Sequence, residues 1–167
     1  MISFQKKLAA IPKIYLTHFY FLLLFIFCFN VSKAQNWNWQ NPLPQGVNLN
    51  AVYFTDANTG YAVGLDGVIL ITTDAGISWT PQNSGTTNGL SDVYFTDADT
   101  GYAVGSGGSL LKTIDGGLNW NLLPGASISL SSVFFTSSSV GYAAGSNGSP
   151  ATISKTINGG ITWTAQL

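Results

Sequence analysis

The sequence predicts an all-β fold of propeller-like blades, each a four-stranded antiparallel meander. Three observations predict it. A unit of about 40 residues recurs three times. Within each unit, short apolar stretches alternate with Gly-rich turns. No segment of the repeats carries the 3.6-residue period of a surface helix.

The first half of the unit reads Ala51-Val-Tyr-Phe-Thr-Asp-Ala-Asn-Thr-Gly-Tyr-Ala-Val-Gly64, then Asp92-Val-Tyr-Phe-Thr-Asp-Ala-Asp-Thr-Gly-Tyr-Ala-Val-Gly105, then Ser132-Val-Phe-Phe-Thr-Ser-Ser-Ser-Val-Gly-Tyr-Ala-Ala-Gly145. Val52, Val93 and Val133 are spaced by 41 and 40 residues. In the first unit the strands are expected around Val52 and Phe54, over 61–63, over 68–71 and over 77–80. Turns fall at 58–60, 65–67 and 74–76. Val52 and Phe54 point to one face and Ala51, Tyr53 and Thr55 to the other. Large apolar groups on both faces predict sheets covered on both sides, as blades are.

A second motif closes each unit: Thr72-Thr-Asp-Ala-Gly-Ile-Ser-Trp79, Thr113-Ile-Asp-Gly-Gly-Leu-Asn-Trp120 and Thr156-Ile-Asn-Gly-Gly-Ile-Thr-Trp163. Thr72, Thr113 and Thr156 open the motif. Asp74 and Asp115 are placed to accept turn N–H groups in an Asx-type turn. Asn158 keeps the acceptor and drops the charge, which suits a structural turn better than a catalytic carboxylate. Gly76, Gly117 and Gly160 supply a positive φ. Trp79, Trp120 and Trp163 are expected to bury a ring between blades.

This motif resembles the Asp-box, or bacterial neuraminidase repeat. The fuller unit resembles the photosystem II stability/assembly factor family of β-propellers over residues 37–167. The resemblance implies a propeller fold, shared with sialidases and the sortilin luminal domain. Family members hold an assembling membrane protein on a basic, Arg-rich surface; this chain contains no Arg. Sialidases need an arginine cluster, a Tyr and a Glu, and Arg and Glu are both missing here.

The N-terminal segment reads as a signal peptide over 1–34, cleaved before Gln35. Lys6, Lys7 and Lys13 precede an apolar run over 19–29, and small residues follow at Ser32 and Ala34. The run is too short for a bilayer span of roughly 20 residues. An uncleaved anchor is the alternative. Phe27 and Ile26 before Cys28 argue against a lipoprotein signal. The protein is therefore expected to be exported, with no stable membrane insertion after cleavage. Residues 35–167 would form the blades, as units over 49–82, 90–122 and 130–167 with a leading strand at 36–41.

Removing 1–34 also removes His18, Cys28, Met1 and four of the six Lys. Lys112 and Lys155 remain against seven Asp, a net charge of -5. Without His or Cys there is no Ser-His-Asp or Cys-His nucleophile, no zinc site and no disulfide. Two lysines make no nucleic-acid footprint. No cofactor is expected. Asp97-Ala-Asp-Thr-Gly101 resembles the start of a calcium loop, but there is no Glu to close it, so Asp56 and Asp97 read as turn residues. Asp66 and Asp92 do not recur between copies and read as solvated loop carboxylates; a catalytic Asp pair is the less favoured reading. Lys112 and Lys155 read as edge-strand charges. Trp37 and Trp39 read as the last strand of a preceding blade, or as a carbohydrate platform.

The expected function is binding or scaffolding without catalysis, with a protein or carbohydrate ligand. A glycoside-hydrolase-type domain is the weaker alternative. Three blades do not readily close a ring, because propellers have about four to eight. Three outcomes stay open: a fragment of a larger secreted propeller protein, self-association of two chains into a six-bladed ring, or a compact three-unit arrangement.

Overall fold

The computed structural model describes residues 46–124, 128–146 and 151–166. They belong to one compact unit, Gln40–Leu167. The segment 1–34, the leading strand at 36–41 with Trp37 and Trp39, and Asn147 lie outside the described residues.

The fold is all-β, an incomplete propeller with three four-stranded antiparallel blades among the described residues. The first blade holds β1 (Leu49–Phe54), β2 (Gly60–Gly64), β3 (Ile69–Thr72) and β4 (Thr80–Gln82) in that spatial order. The second holds β5 (Leu90–Phe95), β6 (Gly101–Gly105), β7 (Leu110–Thr113) and β8 (Asn121–Leu122). The third holds β9 (Leu130–Phe135), β10 (Gly141–Gly145), β11 (Thr152–Thr156) and β12 (Thr164–Gln166).

The fourth strand starts later than the sequence suggests. It was expected over 77–80, yet β3 pairs with β4 only from Ile71 opposite Thr80. The cause is the side chain of Asp74, whose carboxylate accepts the Ser78 N–H at 2.9 Å. That bond holds the chain coiled through Trp79. Ile77, expected inside a strand, is 76 % exposed.

Two apolar cores lie between the blades. The first gathers Tyr61, Val63 and Ile69 from the first blade with Leu90, Val93, Phe95, Ala103, Leu111 and Trp120 from the second. The other gathers Tyr102, Val104 and Leu110 with Leu130, Val133, Phe135 and Ala143. Alternation along β5 to β7 thus sends the second blade's side chains to both neighbours. The expectation of two covered faces holds for this blade. Each outer blade has an open face among the described residues: Val52 and Phe54 are 61 % and 43 % exposed on the first, Phe134 and Ile153 are 54 % and 51 % exposed on the third.

Each core is organised by stacked aromatics. Tyr61 stacks on Phe95 across the blade boundary at 4.0 Å between centroids, and Tyr102 stacks on Phe135 at 4.0 Å. The Phe95 ring lies directly over Gly101, its cross-strand partner, where an added Cβ would stand 2.5 Å from the ring. The recurring Gly before Tyr-Ala is therefore set by the close approach of a ring to backbone. Gly101→Ala is expected to destabilise the chain by about 1–3 kcal/mol through overpacking. Gly46→Ala, where nothing lies within 4 Å, is the neutral control. Urea midpoints of the two variants check this; equal midpoints would contradict it.

Candidate functional site

The repeated turn is built on a buried threonine hydroxyl. Thr72, Thr113 and Thr156 end β3, β7 and β11 and are 0–1 % exposed. Thr72 Oγ1 donates to Asp74 Oδ1 at 2.7 Å and accepts the Gly76 and Asp74 N–H groups at 2.9 and 3.3 Å. Thr113 does the same with Asp115 Oδ1 at 2.8 Å and the Gly117 N–H at 2.9 Å. Thr156 repeats it with Asn158 Oδ1 and the Gly160 N–H, both at 3.0 Å. Each hydroxyl thereby satisfies donors that burial would otherwise leave unpaired.

The acid then gathers the residue four positions on. Asp74 accepts the Ser78 hydroxyl at 2.6 Å, and Asp115 accepts the Asn119 side-chain amide at 2.8 Å. Asn158 accepts the Thr162 N–H at 3.0 Å and donates to its hydroxyl at 2.8 Å. The Ser78 hydroxyl and N–H, with the Thr72 hydroxyl, hold the Asp74 pKa down at about 2. The Asn119 amide and N–H, with the Thr113 hydroxyl, hold Asp115 below the usual carboxylate range. Both are ionised acceptors at neutral pH. The arrangement fixes a turn and leaves neither carboxyl poised for proton transfer.

The tryptophans pack edge-on against the second Phe or only Phe of their own blade's first strand. The pairs are Phe54–Trp79, Phe95–Trp120 and Phe135–Trp163, at 6.2, 6.0 and 6.0 Å. Trp120 is buried between the first and second blades, while Trp79 and Trp163 are half-buried. The Trp163 indole donates to Gly160 O at 3.1 Å. The Trp120 indole N–H is buried with no partner among the described residues, so that ring contributes through packing.

The turn is also where one blade grips the next. Tyr61 Oη donates to Gly116 O at 2.8 Å, and Tyr102 Oη donates to Gly159 O at 2.9 Å. Burial raises the Tyr61 pKa, helped by the charges of Asp56 and Asp99; burial and Asp97 push Tyr102 up to about 12. Both phenols therefore stay protonated as donors. The Tyr61 ring needs room beside the turn, since a Cβ on Gly117 would meet it at 2.9 Å, at a φ of +83°. Higher up, Tyr53 Oη donates to Phe95 O and Tyr94 Oη to Phe135 O, both at 3.0 Å.

Two charged groups differ from their sequence reading. Lys112 lies on β7, an inner strand. Its Nζ donates to Gly159 O at 2.8 Å and sits over the Tyr102 ring at 5.3 Å. It clasps the next blade and does not guard a sheet edge. Lys155, on inner strand β11, likewise sits over the Tyr142 ring at 5.5 Å. Asp92 is not simply solvated. It accepts the Val93 N–H, the Ser132 hydroxyl and the Val133 N–H, each at 2.9 Å, and so ties β5 to β9.

Asp56 accepts the Asn58 and Thr59 N–H groups at 2.7 and 2.8 Å. Asp97 accepts those of Asp99 and Thr100 at 2.9 and 2.7 Å. Ser137 accepts the Val140 N–H at 3.0 Å in the third copy. Asp66 sits at a φ of 56° in the 3-10 turn Leu65–Gly67, where the second blade's matching turn, Ser106–Gly108, has Gly107. Among the described residues no group of three His, Cys, Asp or Glu is placed to hold a metal ion. The interblade roles of Tyr61, Tyr102, Lys112 and Asp92 were missed in the sequence; the signal was a Tyr at one fixed position of every copy.

A family model described as photosynthesis system II assembly factor YCF48 matches residues 81–167. No curated protein sequence matches the chain. Among solved structures, YCF48 from Cyanidioschyzon merolae is similar at 30 % identity and a TM-score of 0.64, over 76 % of this chain and 39 % of that one. A YCF48 structure bound to D1 peptide is similar at 24 % identity and a TM-score of 0.66, over 74 % of this chain and 40 % of that one. The GH74 enzyme of Niastella koreensis is similar at 22 % identity and a TM-score of 0.57, over 66 % of this chain and 20 % of that one. The chain thus spans about two fifths of the YCF48 structures.

Two outcomes follow from the turn geometry. A depressed carboxylate pKa stabilises the fold above its unfolded value, and that stability is lost as pH falls through the folded value. The window for Asp74 runs from 3.8 down to about 2. The double variant Asp74→Asn with Asp115→Asn, which copies Asn158, is expected to lose less stability across that window than the natural chain. Urea midpoints over the acid range check it, and parallel profiles would contradict it. Ala75 holds a φ of 60°, where the other two copies have Gly116 and Gly159. Ala75→Gly is expected to stabilise the chain by about 1 kcal/mol, read from the same midpoints; a lower midpoint would contradict it.

Proposed function

The chain belongs to the photosynthesis system II assembly factor YCF48 family, and from that premise we propose that it is an exported, non-catalytic propeller module that binds a protein segment. The relative solved with a D1 peptide supports a protein ligand. The observation that carries the non-catalytic reading is the employment of the acids. Asp56, Asp74, Asp92, Asp97 and Asp115 all accept backbone N–H groups. Carboxylates bound in this way serve as turn and clamp acceptors, and glycoside hydrolysis needs two carboxyl groups free to act on one bond. The GH74 likeness lies below 25 % identity and speaks for the fold.

Two measurements test the proposal. Protein recovered from the medium or periplasm of an expressing cell is expected to begin at Gln35 by N-terminal sequencing; recovery of chain still carrying residues 1–34 would contradict export with cleavage. The full chain is also expected to bind members of a labelled library of extended peptides saturably, and to release no reducing sugar from xyloglucan. Sugar release that is abolished by Asp66→Asn or Asp99→Asn, with the fold intact, would establish a glycosidase instead.

A further inference from the structure

The sequence holds three Asn-Gly pairs, at Asn88, Asn147 and Asn158, and the two that the structure describes are in opposite states. An Asn-Gly pair is where a side-chain amide is most easily lost, because asparagine is thermolabile and glycine has no Cβ to shield its backbone nitrogen. At Asn158 every group the reaction needs is occupied. Oδ1 accepts the Thr156 hydroxyl and the Thr162 N–H, both at 3.0 Å, and Nδ2 donates to the Thr162 hydroxyl at 2.8 Å. The Gly159 N–H, which would have to attack, donates to Ser139 O at 2.9 Å, and Gly159 is buried.

Asn88 lies at the end of the connection between the first and second blades and is exposed. Its Nδ2 makes one bond, to Ser109 Oγ at 3.0 Å. Among the described residues neither Asn88 Oδ1 nor the Gly89 N–H has a hydrogen-bond partner. Gly89 is anchored through its carbonyl instead, which accepts the Ser106 N–H at 2.9 Å and the Ser106 hydroxyl at 3.2 Å. The matching positions of the other two copies are Val47-Asn48 and Ile128-Ser129, so this weak pair belongs to the entry of the second blade.

We propose that Asn88 is a site of spontaneous deamidation and that Asn158 is spared. The Gly89 nitrogen gives up its proton and attacks Asn88 Cγ. The new N–Cγ bond closes a succinimide ring, the Cγ–Nδ2 bond breaks, and that nitrogen leaves with the proton as ammonia. Water then opens the ring at either carbonyl, leaving aspartate or iso-aspartate at position 88. No oxidation state changes, and water is the one co-reactant. Either product adds a negative charge beside the Ser109 hydroxyl, which rotates to donate to it. The iso-aspartyl form also lengthens the main chain by one carbon next to Gly89 O. The fit there is tight, since a Cβ on Gly105 would stand 2.1 Å from that oxygen. This form therefore loosens the entry to β5.

The test incubates the full chain at mildly alkaline pH, folded and in urea, and locates the amide-to-acid mass gain by tandem mass spectrometry of proteolytic fragments. In the folded chain Asn88 is expected to convert roughly a hundredfold faster than Asn158, which has three more hydrogen bonds to open. In urea both are unstructured Asn-Gly pairs, and their rates are expected to converge. Gly89→Ala puts a Cβ 3.3 Å from the exposed Leu65 side chain and is expected to slow the loss of Asn88 while leaving Asn158 unchanged. Equal rates in the folded chain, a faster Asn158, or an Asn88 that converts in urea and not in the folded chain would each overturn the proposal. Aged chain is also expected to unfold at lower urea than an Asn88→Gln variant aged beside it. Equal midpoints once Asn88 has converted to iso-aspartate would overturn the loosening of β5.

Discussion

The fold depends on a hydroxyl at the end of the third strand. Thr72, Thr113 and Thr156 each turn a buried side chain into the hub of a turn, donating to an acid or amide oxygen and accepting the glycine N–H four residues on. That hub leaves the carbonyl before the glycine facing out of the turn, and in the second and third blades a tyrosine of the preceding blade occupies it. Local hydrogen bonding and interblade cohesion therefore meet at one peptide group. A blade of four short strands buries little by itself; stacking of neighbours such as Tyr61 on Phe95 supplies what the single sheet lacks.

The charge content follows from this architecture. With so few ionisable groups in the repeats, Asp56, Asp74, Asp92, Asp97 and Asp115 each act as an anionic acceptor for N–H groups of the chain's own backbone. Asn158 shows that the charge itself is dispensable: the amide oxygen holds Thr156 and Thr162 in the same geometry. Asp92, a carboxylate that bridges two blades, sits at the irregularity between Leu90 and Asp92 in the β5–β6 pairing, where it gathers N–H groups from β5 and β9. The same scaffold serves peptide-bound YCF48 and GH74 enzymes, so chemistry on this fold lies in what is grafted on the blades.

Much of the fold was legible in the sequence because the repeat exposes it three times. Val-x-Phe, the Gly before Tyr, and the Thr-x-Asp-x-Gly-x-x-Trp turn are local patterns with local causes. The late start of β4 was not legible, because it depends on whether Asp74 captures the Ser78 N–H. The interblade contacts were less legible still. Tyr61 and Gly116 lie 55 residues apart, and Lys112 and Gly159 lie 47 apart; no periodicity within a strand encodes such a reach. The Lys112 position is Ile71 in the first copy, so the repeat alone did not mark it as part of a boundary.

The turns of the second and third blades are each held by a tyrosine of the blade before. Amide hydrogen exchange on Tyr102→Phe tests this hold most directly. Exchange is expected to quicken at the Gly160 N–H, within the turn that Tyr102 grips, and to stay unchanged at the Gly117 N–H, which Tyr61 guards. Equal acceleration at both sites, or at neither, would contradict it.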